Sequence, residues 1–323
     1  MTLILTRADL AGLLTLPDCL SAVEEAFRRY GEGRTEAPQS VGLHAPMGTF
    51  HIKAAVSDVM VAKINANFPA NPRLHRLPTV QGVIAVFDIQ RGTPLALLDS
   101  TLITTLRTSA ATAVAANYLA SASAATMTVI GCGTQGWASL DALRLVRPIR
   151  RAYAFDVDGS AAERLARQMA AQTDIDVRVA PSLDEAVRKS DVVVTCTTSR
   201  MPILEPRHLH PGLFIAAVGA DNPQKQELAP ELLRDSKVVA DILEQAATMG
   251  ELHHAIAGGL ITRDDVHGEL ADVICGRVRG RERDDEVIIF DSTGTALQDS
   301  AVAGLAYERA VERAMGIAVA LTD

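Results

Sequence analysis

The chain carries the run Ala125-Thr-Met-Thr-Val-Ile-Gly131-Cys-Gly133-Thr-Gln-Gly136, and 20 residues beyond Gly136 stands Asp156, at the end of Arg151-Ala-Tyr-Ala-Phe. A short apolar run enters a glycine turn, a helical pattern leaves it, and a second apolar run ends on a carboxylate. Gly131 permits the tight turn, Gly133 lets a pyrophosphate approach the backbone, and Gly136 lets the helix pack closely on the strand. The phosphates then sit at a helix N-terminus, where N–H groups and the macrodipole favour negative charge. Asp156 can accept both hydroxyls of an adenosine ribose and would repel a 2′-phosphate, which favours NAD(H) over NADP(H). A lone GxGxxG is weak, because glycine turns are common. Here the context on both sides and the distance to the acid make a ligand-free strand-turn-helix the poorer reading.

After Asp156 the chain alternates. Helices are expected over 160–172 and 182–190, and strands over 177–180, 191–197, 213–219, 237–241 and 286–290. Such alternation predicts an α/β fold with a doubly wound parallel Rossmann sheet. Upstream the reading differs. Residues 9–32 have a helical pattern, renewed at Pro17-Asp18 and closed by Gly31. Short apolar runs at 51–55, 60–65, 79–88 and 94–99, separated by Gly, Pro, Asn and Asp, predict a small antiparallel sheet. A small-residue helix over 108–120 leads into the glycine loop, and a last helix from 296 to about 315 returns to the N-terminal part. The 323 residues therefore read as a Rossmann domain over 116–299 and a smaller α+β domain over 1–115 and 300–323.

A net charge of −8 with no basic block argues against nucleic acid as a partner. The four cysteines are scattered, with no CxxC, and read as buried thiols in a reducing compartment. His208 and His210 flank Leu209, and His253 and His254 are neighbours that point apart, so no metal site is expected. No secretory pattern follows Met1 and no apolar run is long enough to span a membrane, so the expected location is cytoplasmic. No GxSxG motif or Cys/His pair suggests a side-chain nucleophile.

Three polar residues stand where a sheet-topped pocket would need them. Lys63 interrupts the apolar strand Val61-Ala-Lys-Ile, so its ammonium must snorkel, pair or face a cavity. Arg107 directly precedes the helix expected from Thr108, and could join that helix's N–H groups on a carboxylate, or simply pair with an acid. Asp221 lies just past the strand Phe214-Ile-Ala-Ala-Val-Gly, at the sheet edge where α/β proteins bind ligands. It could move a proton there, or merely cap the turn before Asn222-Pro223.

Read in order, the stretches Leu77-Pro-Thr-Val-Gln-Gly, Leu106-Arg-Thr-Ser-Ala-Ala, Gly131-Cys-Gly-Thr-Gln-Gly136, Val218-Gly-Ala-Asp-Asn-Pro-Gln-Lys-Gln-Glu-Leu and Phe290-Asp-Ser-Thr-Gly-Thr-Ala-Leu-Gln-Asp299 resemble the ornithine cyclodeaminase/mu-crystallin family. They span about residues 60 to 300 and are specific in combination. The resemblance implies NAD(P) in the Rossmann domain, a homodimer formed through the N-terminal domain, and a small amino- or imino-acid substrate. By the same matching, Lys63 and Arg107 would hold the substrate α-carboxylate and Asp221 would be the acid/base. Thr79, Thr108, Gly133, Thr134, Gln135, Asp156, Thr197, Lys225 and Ser292 would lie on the cofactor side.

There is one departure. In a gap-free count back from Lys63, an arginine of the ornithine cyclodeaminases falls at Gln39, and their distal-amine glutamate falls at Phe50. This chain instead offers Lys53, which faces the same way along its strand as His51. That removes the distal-amine site and adds a cation, so Gln39 and Lys53 join the substrate-side candidates and a small amino or imino acid, or a dicarboxylate, fits better than ornithine. The expected function is an NAD(H)-dependent reductase or dehydrogenase at a Cα–N bond, of the imino-acid reductase or alanine dehydrogenase kind. The rivals are a true cyclodeaminase, which recycles its cofactor in place, and a non-catalytic binder of a small ligand.

Overall fold

The structure, a computed structural model, describes residues 1–321. The chain divides into two compact units: Thr108–Gly294, and Met1–Arg107 together with the chain from Thr295 onward. The divisions expected from the sequence are at 115/116 and 299/300.

The Thr108–Gly294 unit is built on a parallel sheet of eight strands. From one edge they are Gly268–Glu269, Lys237–Ala240, Ile288–Asp291, Phe214–Ala217, Val192–Thr195, Thr126–Ile130, Arg151–Phe155 and Asp176–Val179. The chain winds outward from Thr126–Ile130 to Asp176–Val179, then crosses back to the other side of Thr126–Ile130 with Val192–Thr195. That reversal opens a crevice at the carboxyl ends of those two central strands, the place where doubly wound sheets bind ligands. Val192–Thr195, Phe214–Ala217 and Ile288–Asp291 are buried at every position. This is why they read as unbroken apolar runs and not as alternations.

The other unit carries a seven-stranded sheet in the order Ile317–Val319, Thr2–Leu5, Pro94–Asp99, Val80–Asp88, Val59–Asn67, Gly48–Val56, Gln39–Ala45. All neighbours are antiparallel except Thr2–Leu5 with Pro94–Asp99. Helix Ala296–Glu312 packs on Leu16–Gly31 and lies against the strands Gly48–Val56 and Val59–Asn67. The helical stretch expected over 9–32 is two helices, Arg7–Leu13 and Leu16–Gly31, because Thr6 and Thr15 each open one by accepting a backbone N–H with their hydroxyls.

One difference bears on function. The helix expected from Thr108 begins at Ser100 and runs to Leu119. Asp99 starts it: its carboxylate accepts the N–H groups of Thr101 and Leu102 at 3.1 Å each. Arg107 therefore lies two turns inside a helix, and there are no free helix N–H groups beside it to share an anion.

Candidate active site

The crevice of the Thr108–Gly294 unit is a cleft of about 450 Å³, lined by the glycine turn, Phe155, Asp156 and Val157, and the 196–199 loop that follows strand Val192–Thr195. Gly131 holds φ +98° and donates its N–H to Phe155 O at 2.9 Å, a backbone shape that L side chains rarely take. A Cβ on Gly133 would meet only open space, whereas one on Gly136 would collide with the Gly131 carbonyl and Val129. Helix Thr134–Val146 starts at Gly133, which provides no side-chain cap, and Thr134 and Gln135 form its first turn. Asp156 receives the N–H of Cys132 at 2.7 Å and that of Asp158 at 2.9 Å, one on each oxygen. Those bonds fix the carboxylate at the mouth and leave further lone pairs on both oxygens. Ser292, just past strand Ile288–Asp291, buries a hydroxyl with no hydrogen-bond partner among the described residues.

These features fit a dinucleotide: open space where a pyrophosphate must approach, an uncapped helix start, and a fixed acid for the ribose. Gly136→Ala is expected to weaken NADH binding and to cost about 1–3 kcal/mol of stability through overpacking of helix on strand. Fluorescence titration and thermal unfolding check this; wild-type affinity in that variant would remove the close-packing argument.

Asp221 stands four residues beyond strand Phe214–Ala217, its side chain 40% exposed and paired with Lys225 Nζ at 2.7 Å. Asn222 Nδ2 donates to it at 3.1 Å. Asn222 caps the turn: its Oδ1 accepts the Gln224 N–H at 3.0 Å. Lys225 itself, expected on the cofactor side, is the partner of Asp221. Thr197 lines the cleft. Thr79 is half-buried at the foot of strand Val80–Asp88 in the other unit, and Thr108 is buried inside helix Ser100–Leu119, its carbonyl bonded by Thr112.

The unit of Met1–Arg107 and Thr295 onward holds a buried charge cluster. Lys53 and Lys63 sit directly opposite each other on neighbouring antiparallel strands, and both are buried. Arg107 is buried too. Between the cations lies Asp299, completely buried on helix Ala296–Glu312, with Oδ2 2.6 Å from Lys63 Nζ and Oδ1 3.2 Å from Arg107 Nε. Arg107 also donates to Gln298 Oε1 at 2.7 Å. Lys63 thus pairs, and does not snorkel. Burial, and then the Arg107 charge, pull the Lys63 ammonium down to about 7 against the opposing pull of Asp299. Burial alone would raise the Asp299 carboxyl, but Lys63 and Arg107 outweigh it and hold the carboxyl below its ordinary value. The two shifts differ in origin: burial leads the lowering of Lys63, whereas the cations Lys63, Arg107 and Lys53 lower Asp299.

Asp299 is the residue that sequence reasoning missed, although it closes the motif Thr295-Ala-Leu-Gln-Asp. The available signal is Gln298-Asp299-Ser300, a polar run followed directly by the small and apolar stretch Ala301-Val-Ala-Gly-Leu-Ala306. Gln39 is corrected. The register pairs Gln39 with Ala54, and Lys53 with Ser40 and Lys63, so Gln39 points to the opposite face of the sheet and is exposed. Phe50 shares that opposite face, while His51 shares the face of Lys53 and Lys63, as its pairing with Asn65 requires. Neighbouring residues of a strand face opposite sides, so the positions given by the gap-free count, Gln39 and Phe50, lie across the sheet from Lys53 and Lys63.

Comparison with known proteins agrees with this geometry. The model of the ornithine cyclodeaminase/mu-crystallin family matches residues 1–314. The chain is 40% identical over 316 residues to alanine dehydrogenase of Archaeoglobus fulgidus, covering 98% of this chain and 97% of that one. Its structure superposes with a TM-score of 0.95 on an archaeal alanine dehydrogenase dimer with bound NAD, at 39% identity and 99% coverage of each chain. It superposes equally, at 0.95, on the Thermococcus litoralis Δ1-pyrroline-2-carboxylate reductase in complex with NADH and L-proline, at 31% identity, covering 98% of this chain and all of that one. Among the described residues no helix is long and apolar enough to cross a membrane, and no group of three His, Cys, Asp or Glu could hold a metal ion. The chain belongs to the ornithine cyclodeaminase/mu-crystallin family.

Proposed function

We propose that this protein is an NAD(H)-dependent oxidoreductase acting on the Cα–N bond of a small amino or imino acid. The observation that carries the reading is the Asp156-ended cleft at the switch point of the parallel sheet, in a chain with 40% identity to an alanine dehydrogenase. When bound, the nicotinamide supplies or accepts the hydride. Lys63 and Arg107 hold the substrate carboxylate, with Asp299 fixing both cations in place. Asp221 moves the proton on the substrate nitrogen or orients the water. Lys53, opposite Lys63, suits a substrate with a second carboxylate.

The test is a substrate panel followed at the NADH absorbance: pyruvate, glyoxylate and oxaloacetate with an ammonia or amine donor, beside cyclic imino acids and ornithine. The proposal expects NADH consumed in step with an oxo- or imino-acid. Conversion of ornithine to proline with ammonia released and no net change in NADH would overturn it in favour of cyclodeamination.

Carboxylate capture by Lys63 carries its own pH dependence. The ammonium is charged below its folded-state value of about 7 and is lost above it. The kcat/KM for a carboxylate substrate should therefore fall as pH rises through about 7. Lys63→Arg should lack that fall while being slower, and a wild-type profile flat across this range would contradict the role of Lys63.

The proposed assembly is a homodimer. The sheet of the Met1–Arg107 unit turns one face outward with Val41 52%, Ile64 43% and Val83 51% exposed. Ile64 is cross-strand partner to both Ile52 and Val83, and Val41 to Ile52, so these side chains form one contiguous apolar strip. A strip of this kind is characteristic of a surface buried against another chain. Ile64→Lys is expected to halve the mass seen by light scattering with little loss of stability in the monomer. An undisturbed dimer would move the interface elsewhere.

A further inference from the structure

Glu227 lies on the short strand Gln226–Leu228, is completely buried, and has no part in the roles assigned so far. Its carboxylate reaches two loops at the ligand-binding edge of the parallel sheet. Oε1 accepts the backbone N–H of Thr197, which lines the dinucleotide cleft, at 2.6 Å. Oε2 accepts the Thr195 hydroxyl at 2.6 Å and the backbone N–H of Gly219 at 2.8 Å. Gly219 stands two residues before Asp221 and must lack a side chain, because a Cβ there would collide with the Glu227 carboxylate. Glu227 is anchored in turn: its own N–H and that of Leu228 donate to the Glu251 carboxylate at 2.8 and 3.0 Å.

A buried carboxylate is expensive unless donors satisfy it. Burial raises the Glu227 carboxyl, and the donors from Thr195, Thr197 and Gly219 work against that rise. The two loops use different oxygens of this carboxylate, Thr197 on Oε1 and Gly219 on Oε2, so both ends of the group must accept. A glutamine in the same place would meet one of those N–H groups with the donor end of its amide.

We infer that Glu227 is a positioning residue that ties the loop carrying Asp221 to the loop lining the cofactor cleft, so that cofactor binding and the placement of Asp221 depend on one buried carboxylate. This rests on the functional reading above. Glu227→Gln preserves size and sets an NH2 group against the N–H of Thr197 or of Gly219. The measurements are the Kd for NADH by fluorescence, kcat and KM with the active substrate, thermal unfolding, and amide hydrogen exchange. The variant should bind NADH about tenfold or more weakly, as expected from losing a hydrogen bond to a charged acceptor. Its kcat should fall at saturating NADH, and exchange at Thr197 and Gly219 should quicken while the Thr126–Ile130 strand stays protected. Asp221→Asn, by contrast, should lower kcat and leave both NADH binding and the Thr197 amide unchanged. A merely structural role would lower the unfolding temperature and leave Kd, kcat and the two amides alone, and that result overturns the inference. Should Glu227→Gln fail to fold, Thr195→Val removes one donor at little cost in shape. It should shift Kd and kcat in the same direction, and wild-type values there also overturn the inference. A wild-type protein that binds no NADH would instead sink the functional reading itself.

Discussion

Asp221→Asn is expected to lower turnover about 10²–10⁴-fold, the usual worth of a positioned acid or base, while leaving the Kd for NADH at its wild-type value. The substitution keeps the shape of the side chain and an oxygen for Lys225, now 2.7 Å from the carboxylate. It keeps the turn as well, because Asn222 caps it. What it removes is the capacity to take up and release a proton. Stopped-flow or steady-state rates beside a fluorescence titration separate the two effects. Undiminished turnover would exclude Asp221 from the chemistry, and lost NADH binding would make it a structural support of the cleft.

The second large effect is on stability. Asp299→Asn should destabilise its unit by about 3–5 kcal/mol, because it leaves buried cations with no opposing charge. The cost is asymmetric. Lys63→Met removes one of three cations and leaves Asp299 paired with Arg107 at 3.2 Å, so its loss should be clearly smaller. Urea unfolding of both variants gives the ordering directly. Equal losses would mean that the three cations do not share Asp299 as the geometry indicates. A carboxylate ligand should also partly restore Asp299→Asn, since it supplies the missing negative charge in the same cradle.

Much of this molecule can be read in its sequence, and the rest is hidden for physical reasons. The glycine turn and Asp156 are legible because turn, strand and acid lie within about thirty residues and each answers a local steric or electrostatic need. The strands from Val192–Thr195 to Ile288–Asp291 are legible as apolar runs because both faces of the sheet are covered. Thr2–Leu5 and Ile317–Val319 are not legible, since each is short and is defined by a partner distant in the chain. The start of helix Ser100–Leu119 was masked by Thr101-Leu-Ile-Thr-Thr, rich in β-branched residues, and only the cap at Asp99 marks it. Asp299 was not placed because its meaning comes from Lys63, more than two hundred residues earlier. The face on which Gln39 lies is not legible, because register is a property of two strands and cannot be counted along one.

The reaction proposed for this protein is hydride transfer between the nicotinamide and the Cα of a nitrogen-bearing carboxylic acid. Its most direct test uses NADH carrying deuterium at the transferred position, with the best oxo- or imino-acid of the panel, and mass spectrometry of the product. One deuterium is expected at Cα of the amino acid for each NADH consumed. Unlabelled amino acid, or product formed without NADH being consumed, would contradict it.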